Sequence, residues 1–465
     1  MGKISAALGL LSANLLSATT AQAQSAPNGP VYAPAETRRA AAGPVDDSAS
    51  DLGLTRVDSA VLFYQEAGGR VRATEPVVSA ALNNDDGDVL SVKLTSDIVT
   101  GATPNGAAPW SQAQIFTTPT RAPGTKATVT SASGNSQIVT LPGSGTVARQ
   151  YTTPGNTLPV DTGFKDTRYA IDIGYLQALT PDLRLSGGVE ASRERDYSSY
   201  SGVLGYAQDF YQKRTTVSLG LSFEYDQSRP AFGTPTPFTV MSATPKGSNK
   251  SKTVVGLVAG VTEVVNRYWL AQLNYSVGTT NGYQNDPYRI ISVVAPTTGA
   301  PLQYLYESRP DNRLRQSLYF GNKIALGPTF ADISVRGYHD SWGINSLTVG
   351  VSERVPIGRH IYVEPEWRYY RQTAANFFDN YLISGAPLPA FASSDSRLGK
   401  FSANTAGLKL GYTFQRGSEL YLEASHYKQS GDAHPAGVIP GLASQNLFSG
   451  VAANSIIFGY SFAFR

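Results

Sequence analysis

The stretch Thr215-Thr216-Val217-Ser218-Leu219-Gly220-Leu221-Ser222-Phe223-Glu224-Tyr225 decides the fold. Val217, Leu219, Leu221, Phe223 and Tyr225 alternate with Thr216, Ser218, Gly220, Ser222 and Glu224. An extended chain sends successive side chains to opposite faces, so this is a β-strand with one apolar and one wet side. Val89 to Ile98 repeats the pattern, with Leu90, Val92, Leu94 and Ile98 against Ser91, Lys93, Thr95 and Asp97. Trp269–Val277, Ile361–Tyr369 and Leu408–Phe414 do the same. Strands of soluble sandwiches run about five or six residues, whereas a tilted membrane-spanning strand needs about nine to eleven. These segments are of the longer kind.

Extending the reading outward gives sixteen such segments: 56–65, 70–82, 88–99, 166–179, 183–195, 199–209, 214–226, 252–264, 268–279, 313–326, 329–340, 344–355, 360–372, 402–414, 418–430 and 454–464. Every second connection is short, as at 83–87, 180–182, 210–213, 265–267, 327–328, 356–359 and 415–417. The long connections, 100–165, 227–251, 280–312, 373–401 and 431–453, all fall on the other parity. Short periplasmic turns and long extracellular loops are the pattern of an outer-membrane barrel. The expected fold is all-β: a transmembrane antiparallel β-barrel of about 16 strands, with 14 or 18 as alternatives, over residues 56–465.

Composition agrees. Charged residues are 16% of the 465, there are 45 Gly, 28 Pro and 26 Tyr, and mean hydropathy is only −0.19. Only one face of each strand meets lipid, so no window past the N-terminus resembles a membrane helix. A net charge of +3 argues against a nucleic-acid partner, and the absence of Cys excludes disulfides, thiolate metal sites and a Cys nucleophile. At the N-terminus, Lys3, the apolar run Ile4 to Leu16 and Ala21-Gln22-Ala23 predict a cleavable signal peptide over 1–23. Residues 24–55, rich in Pro, Ala and Ser, read as a flexible periplasmic leader.

Trp269, Tyr369, Tyr412 and Phe414 are candidates for the aromatic girdles at the two membrane interfaces. The last strand, Asn454 to Phe464, alternates Ile456, Phe458, Tyr460, Phe462 and Phe464, with Arg465 following. It resembles the C-terminal aromatic signature read by the barrel-insertion machinery. The expected partners are therefore outer-membrane lipid, that machinery, and small solutes, in the outer membrane of a Gram-negative bacterium.

The run Thr100-Gly101-Ala102-Thr103-Pro104-Asn105-Gly106-Ala107 and then Phe164-Lys165-Asp166-Thr167-Arg168 resemble an uncharacterised bacterial outer-membrane β-barrel family, a domain of unknown function. Further matching stretches are Ser222–Asp226, Gln272–Ser276, Asp286-Pro287-Tyr288, Arg309-Pro310-Asp311, Arg368–Gln372 and Arg397-Leu398-Gly399. The resemblance implies an outer-membrane barrel and no established activity, so it carries over no catalytic residues.

Alternation places a charge ladder in the lumen. Its positive members are Lys93, Arg184, Arg214, Arg315, Lys323, Arg336, Arg368 and Lys409. The negative ones are Asp97, Asp172, Glu190, Glu224, Asp332, Glu364, Glu366, Glu419 and Glu423. Such a ladder either lines a weakly selective polar pathway or forms ion pairs that fill the lumen. Sixteen strands leave room for an aqueous channel, which the 100–165 loop could narrow, with Asn105 and Trp110 as the constriction candidates.

Enzyme signatures are thin. His339-Asp340-Ser341 holds triad residue types, but neighbours on a strand point to opposite faces. Asn84-Asp85-Asp86-Gly87-Asp88 reads as a tight turn, since it lacks the spacing and closing Glu of a calcium loop. No catalytic residue, cofactor or metal is expected. The first functional expectation is a porin-like channel for small polar solutes. The alternative is a non-conducting barrel serving as a scaffold or surface-binding protein, and the third is an outer-membrane hydrolase.

Overall fold

The computed structural model describes residues 53–119, 136–140, 147–230, 232–243, 247–414 and 417–464. The signal peptide 1–23 and leader residues 24–52 lie outside the described residues. In chain order the strands are β1 (Gly53–Glu66), β2 (Val71–Asn83), β3 (Val89–Pro104), β4 (Gln114–Pro119), β5 (Ser136–Thr140), β6 (Val147–Thr153), β7 (Val160–Thr180), β8 (Leu183–Arg193), β9 (Tyr197–Phe210), β10 (Thr215–Ser228) and β11 (Lys250–Asn266). They continue with β12 (Trp269–Gly282), β13 (Ile290–Val294), β14 (Pro301–Tyr306), β15 (Asn312–Leu326), β16 (Thr329–Asp340), β17 (Asn345–Ile357), β18 (Ile361–Gln372), β19 (Leu382–Ile383), β20 (Phe401–Thr413), β21 (Glu419–Gly431) and β22 (Ala452–Ala463).

Sixteen of these close into one antiparallel barrel in chain order: β1–β3, β7–β12, β15–β18 and β20–β22. The seam is β1 against β22, with Val57 opposite Phe462 and Phe63 opposite Ile456. Closure leaves no edge, so the backbone polar groups of the wall are paired within it. Each of the sixteen segments expected from alternation corresponds to one barrel strand. The ends differ: β1 begins at Gly53, and residues 100–104 and 160–165, read as loop, extend β3 and β7.

The wall is two-sided as the alternation requires. Leu273 is 48% exposed on the outward face, whereas its neighbour Asn274 is 7% exposed on the inward one. Leu219, Leu221, Phe223, Leu257, Leu318, Leu408 and Phe458 likewise stand on the outward face. A continuous apolar belt of this extent on a closed barrel is a lipid-facing surface.

Trp269, Tyr412, Phe414 and Phe464 lie outward near the end that carries the short turns. Phe414 packs edge-on to Tyr412 of its own segment, centroids 4.9 Å apart, and lies 6.4 Å from the Tyr460 ring of β22. Near the opposite end, Phe63, Tyr169, Tyr200 and Tyr369 form the second aromatic level, with Trp367 stacked on Tyr369.

Six of the described strands lie outside the ring. β4, β6 and β5 make one small sheet, and β14, β13 and β19 another, in which Val293 pairs in parallel with Leu382. Both belong to the long connections at the loop end.

Candidate functional site

The inward charges mostly settle into neighbouring pairs. Lys93 Nζ lies 3.2 Å from Asp172, which stands opposite Glu190 in register. Asp97 takes the guanidinium of Arg168. Glu224 sits two residues before Asp226, which pairs with Lys252 at 3.0 Å. Arg315 donates to Thr280 Oγ1 at 2.9 Å, and Lys323 is 3.6 Å from Asp332. Arg336 lies over the Tyr319 ring and Arg368 over the Tyr370 ring. Glu364 accepts from Arg354 Nε at 2.7 Å. Lys409 stands 3.9 Å from Glu419, faces Glu423 in register, and covers the Tyr421 ring. Glu366 points inward opposite Gly407. Near the turn end, Arg184 grips Asp209 with two bonds of 2.7 and 2.9 Å.

Arg214 is the exception. β10 begins only at Thr215, so Arg214 lies in the turn that Tyr211, Gln212 and Lys213 make with positive φ. It is exposed there, 3.7 Å from Glu263, and is no part of the lumen wall. Several inward charges were missed by sequence reasoning: Glu75, Arg168, Asp226, Lys252, Arg313, Asp340 and Arg354. Parity alone would have found Arg168, four residues before Asp172 on one strand face.

The loop end carries the larger feature. The connections β3–β7, β12–β15 and β18–β20 spring from three separate sectors of the ring, with four, two and four strands between them. They nevertheless meet. Ile290 N–H donates to Asn105 O at 2.9 Å, and Ser394 Oγ lies 2.6 Å from Gly106 O and 2.9 Å from Ile290 O. Segments rooted in three sectors of a ring can share one hydrogen-bonded point only by spanning its opening, at or within the mouth. Gly106 is required at that point. Its φ is +101°, and a Cβ would sit 2.2 Å from Ile290 O.

The other two long connections join the same cap. From β10–β11, Met241 enters a buried cluster with Ala107, Phe116, Tyr151, Ile290 and Tyr306. From β21–β22, Ile439 and Leu442 pack with Val294, against Trp110 and Tyr381. Asn105 is 3% exposed, and its side chain donates to Tyr151 Oη and accepts from Ala107 N–H. The structure thus brings the two expected constriction residues, Asn105 and Trp110, into one cap rather than setting them bare in the lumen.

A buried charge cluster locks the cap. Arg309 is fully buried between Glu307 (2.7 Å) and Asp395 (2.8 Å). Arg397 reaches Asp395 at 2.6 Å and Asp286 at 3.5 Å, and Arg289 stands 4.0 Å from Asp286. Asp286, Arg309 and Arg397 come from three short stretches singled out by resemblance, and folding gathers them into one node.

Burial alone would raise the Asp395 carboxyl, but the guanidiniums of Arg397, Arg289 and Arg309 outweigh it and hold the group well below the usual carboxylate range. Its contribution to cap stability is therefore full above the ordinary carboxylate pKa, about 3.9, and lost only as pH falls through the lower folded value. Emission from Trp110 and Trp342, both at the loop end, should stay constant from neutral pH to about 4 and shift red only in stronger acid. A red shift complete at mildly acidic pH would contradict this cluster as the lock.

Adjacency does not build a triad: His339 lies exposed on the outward face, hydrogen-bonded to Asn345, while Asp340 is buried inward against Arg313.

Fold and site together define a sixteen-stranded antiparallel β-barrel whose five long connections co-fold across one mouth. The chain belongs to the family described as protein of unknown function (DUF3570), whose model matches residues 17–462. No curated protein matches it. Among solved structures, a variant of the ferric enterobactin receptor PfeA from Pseudomonas aeruginosa is similar at 10% identity and a TM-score of 0.40. That similarity covers 82% of this chain and 54% of the receptor, so the chain spans about half its length. The outer membrane protein opdK from Pseudomonas aeruginosa is similar at 9% identity over 88% of this chain and 99% of its own, with a TM-score of 0.35. OccD3 (OpdP) from Pseudomonas aeruginosa is similar at 8% identity over 90% and 94%, with a TM-score of 0.40.

Proposed function

We propose that this protein is an outer-membrane barrel that passes small polar solutes through a charged, wet lumen, with the cap setting how much of the mouth is open. The observation that carries the reading is the three-loop junction of Asn105, Gly106, Ile290 and Ser394 across the ring. A polar wall supports passage of hydrated solutes, and a mouth bridged by ordered loops supports restricted rather than bulk flow. The turn end, where both described termini lie, is the periplasmic side. The outward aromatics of β22 are offered to the insertion machinery. No catalytic role is part of this reading.

Planar-bilayer recording tests it. The native chain should give discrete, small conductance steps. A variant with residues 105–159 replaced by a short turn should give steps severalfold larger. Silence from both, with the protein verifiably inserted, would replace this reading by the second one. In that case the barrel is a non-conducting scaffold or surface-binding protein, which the paired lumen charges Lys93–Asp172, Arg168–Asp97 and Arg354–Glu364 favour.

A further inference from the structure

The outward face is electrically lopsided. On the barrel strands, the outward carboxylates among the described residues are Glu263 on β11 and Glu353 on β17, both near the turn end. Outward and exposed near the loop end stand Arg72, Lys165, Arg193, Arg371 and Lys428. Whereas most inward cations have a carboxylate within reach, none of these five side chains has a hydrogen-bond or ion-pair partner among the described residues.

Their level is that of the second aromatic ring. Arg193 pairs in register with Tyr169, and Lys428 is in register with Tyr369 through Asn404. Arg371 is one outward position beyond Tyr369, and Arg72 one beyond Thr74, which pairs with Phe63. Interfacial Tyr marks the headgroup level of a bilayer, so the five cations stand among or just above headgroups. They also share one continuous sector of the wall, from β18 through β20–β22 and β1–β3 to β7 and β8.

We propose that this sector is a docking surface for phosphate-bearing lipid headgroups, with Arg72, Lys165, Arg193, Arg371 and Lys428 as the phosphate contacts. Guanidinium meets phosphate through two parallel bonds and ammonium meets it as a point charge, and among the described residues the barrel strands of this sector carry no outward carboxylate to compete. The inference rests on the membrane placement proposed above.

The test is native mass spectrometry of the full chain released from detergent, titrated with bis-phosphorylated lipid A, alongside insertion of the same chain into phosphatidylcholine nanodiscs. The native chain should bind the phosphorylated lipid and prefer it strongly to the same lipid stripped of phosphate. Each of Arg371→Gln, Arg193→Gln and Arg72→Gln should lower the apparent affinity about fivefold, the worth of one surface cation. Should a variant fail to fold, high salt should abolish the preference in the native chain, because exposed charges are screened. Equal binding of the dephosphorylated lipid, unchanged affinity in all three variants, or a salt-independent preference would overturn the proposal. Failure of the native chain to insert overturns the membrane placement and this inference with it; insertion without a phosphate preference overturns this inference alone.

Discussion

Arg309→Ala should undock the cap while leaving the barrel closed. The side chain is wholly buried and bridges Glu307 and Asp395, and Ser393 Oγ donates to the same Glu307. Removing one member of a buried ion pair leaves an uncompensated charge, a loss of about 3–5 kcal/mol. Here two carboxylates lose their shared cation at once. The barrel ladder does not pass through this node, so the loss is local. Hydrogen exchange of peptides spanning 283–311 and 388–400 should rise to that of exposed loops, with peptides from β10 and β11 unchanged. Native-like protection in the cap peptides would show that its apolar clusters suffice without the charge lock.

The second large effect is expected at Leu273→Arg, which should cost about 2–4 kcal/mol of stability in lipid. Leu273 stands outward on β12, opposite Val261 and Phe320 in register, within the apolar belt. Asn274→Arg changes the adjacent residue but turns the charge toward the lumen. Its cost should be smaller, though not zero, because Asn274 is packed close to Gly260 and Ser218. Urea titration in short-chain lipid vesicles compares the two. Equal costs would refute the assignment of the wall's two sides.

The barrel was legible because its information is local. Period two, strand length and the parity of short and long connections appear within windows of a dozen residues, and tilt and closure follow from them. Inward charges such as Lys93, Glu190 and Lys409 were readable by counting alternate positions from an apolar neighbour. Arg214 failed where that count runs past the end of a strand into a turn, since parity has no meaning once φ turns positive.

The cap was not legible. Its segments have no period, and its contacts join residues such as Gly106 and Ser394 whose proximity depends on where the ring places their roots. Asn105 and Trp110 could be marked as ordered features of a long loop. That Asp286, Arg309 and Arg397 would meet could not be read, because nothing local to any of them encodes the other two.

The cross-mouth junction also constrains the order of events in folding. Gly106 and Ser394 are 288 residues apart in the chain, and their bond shortens no loop that strand pairing has not already shortened. Contacts of such separation form late, because chain entropy must first be surrendered elsewhere. The cap therefore has no template until β1 has met β22, and before that the long connections have no fixed partners across the ring. Quenching of Trp110 by its cap neighbours should thus lag behind strand formation during refolding, making the cap a built-in clock for closure of the seam.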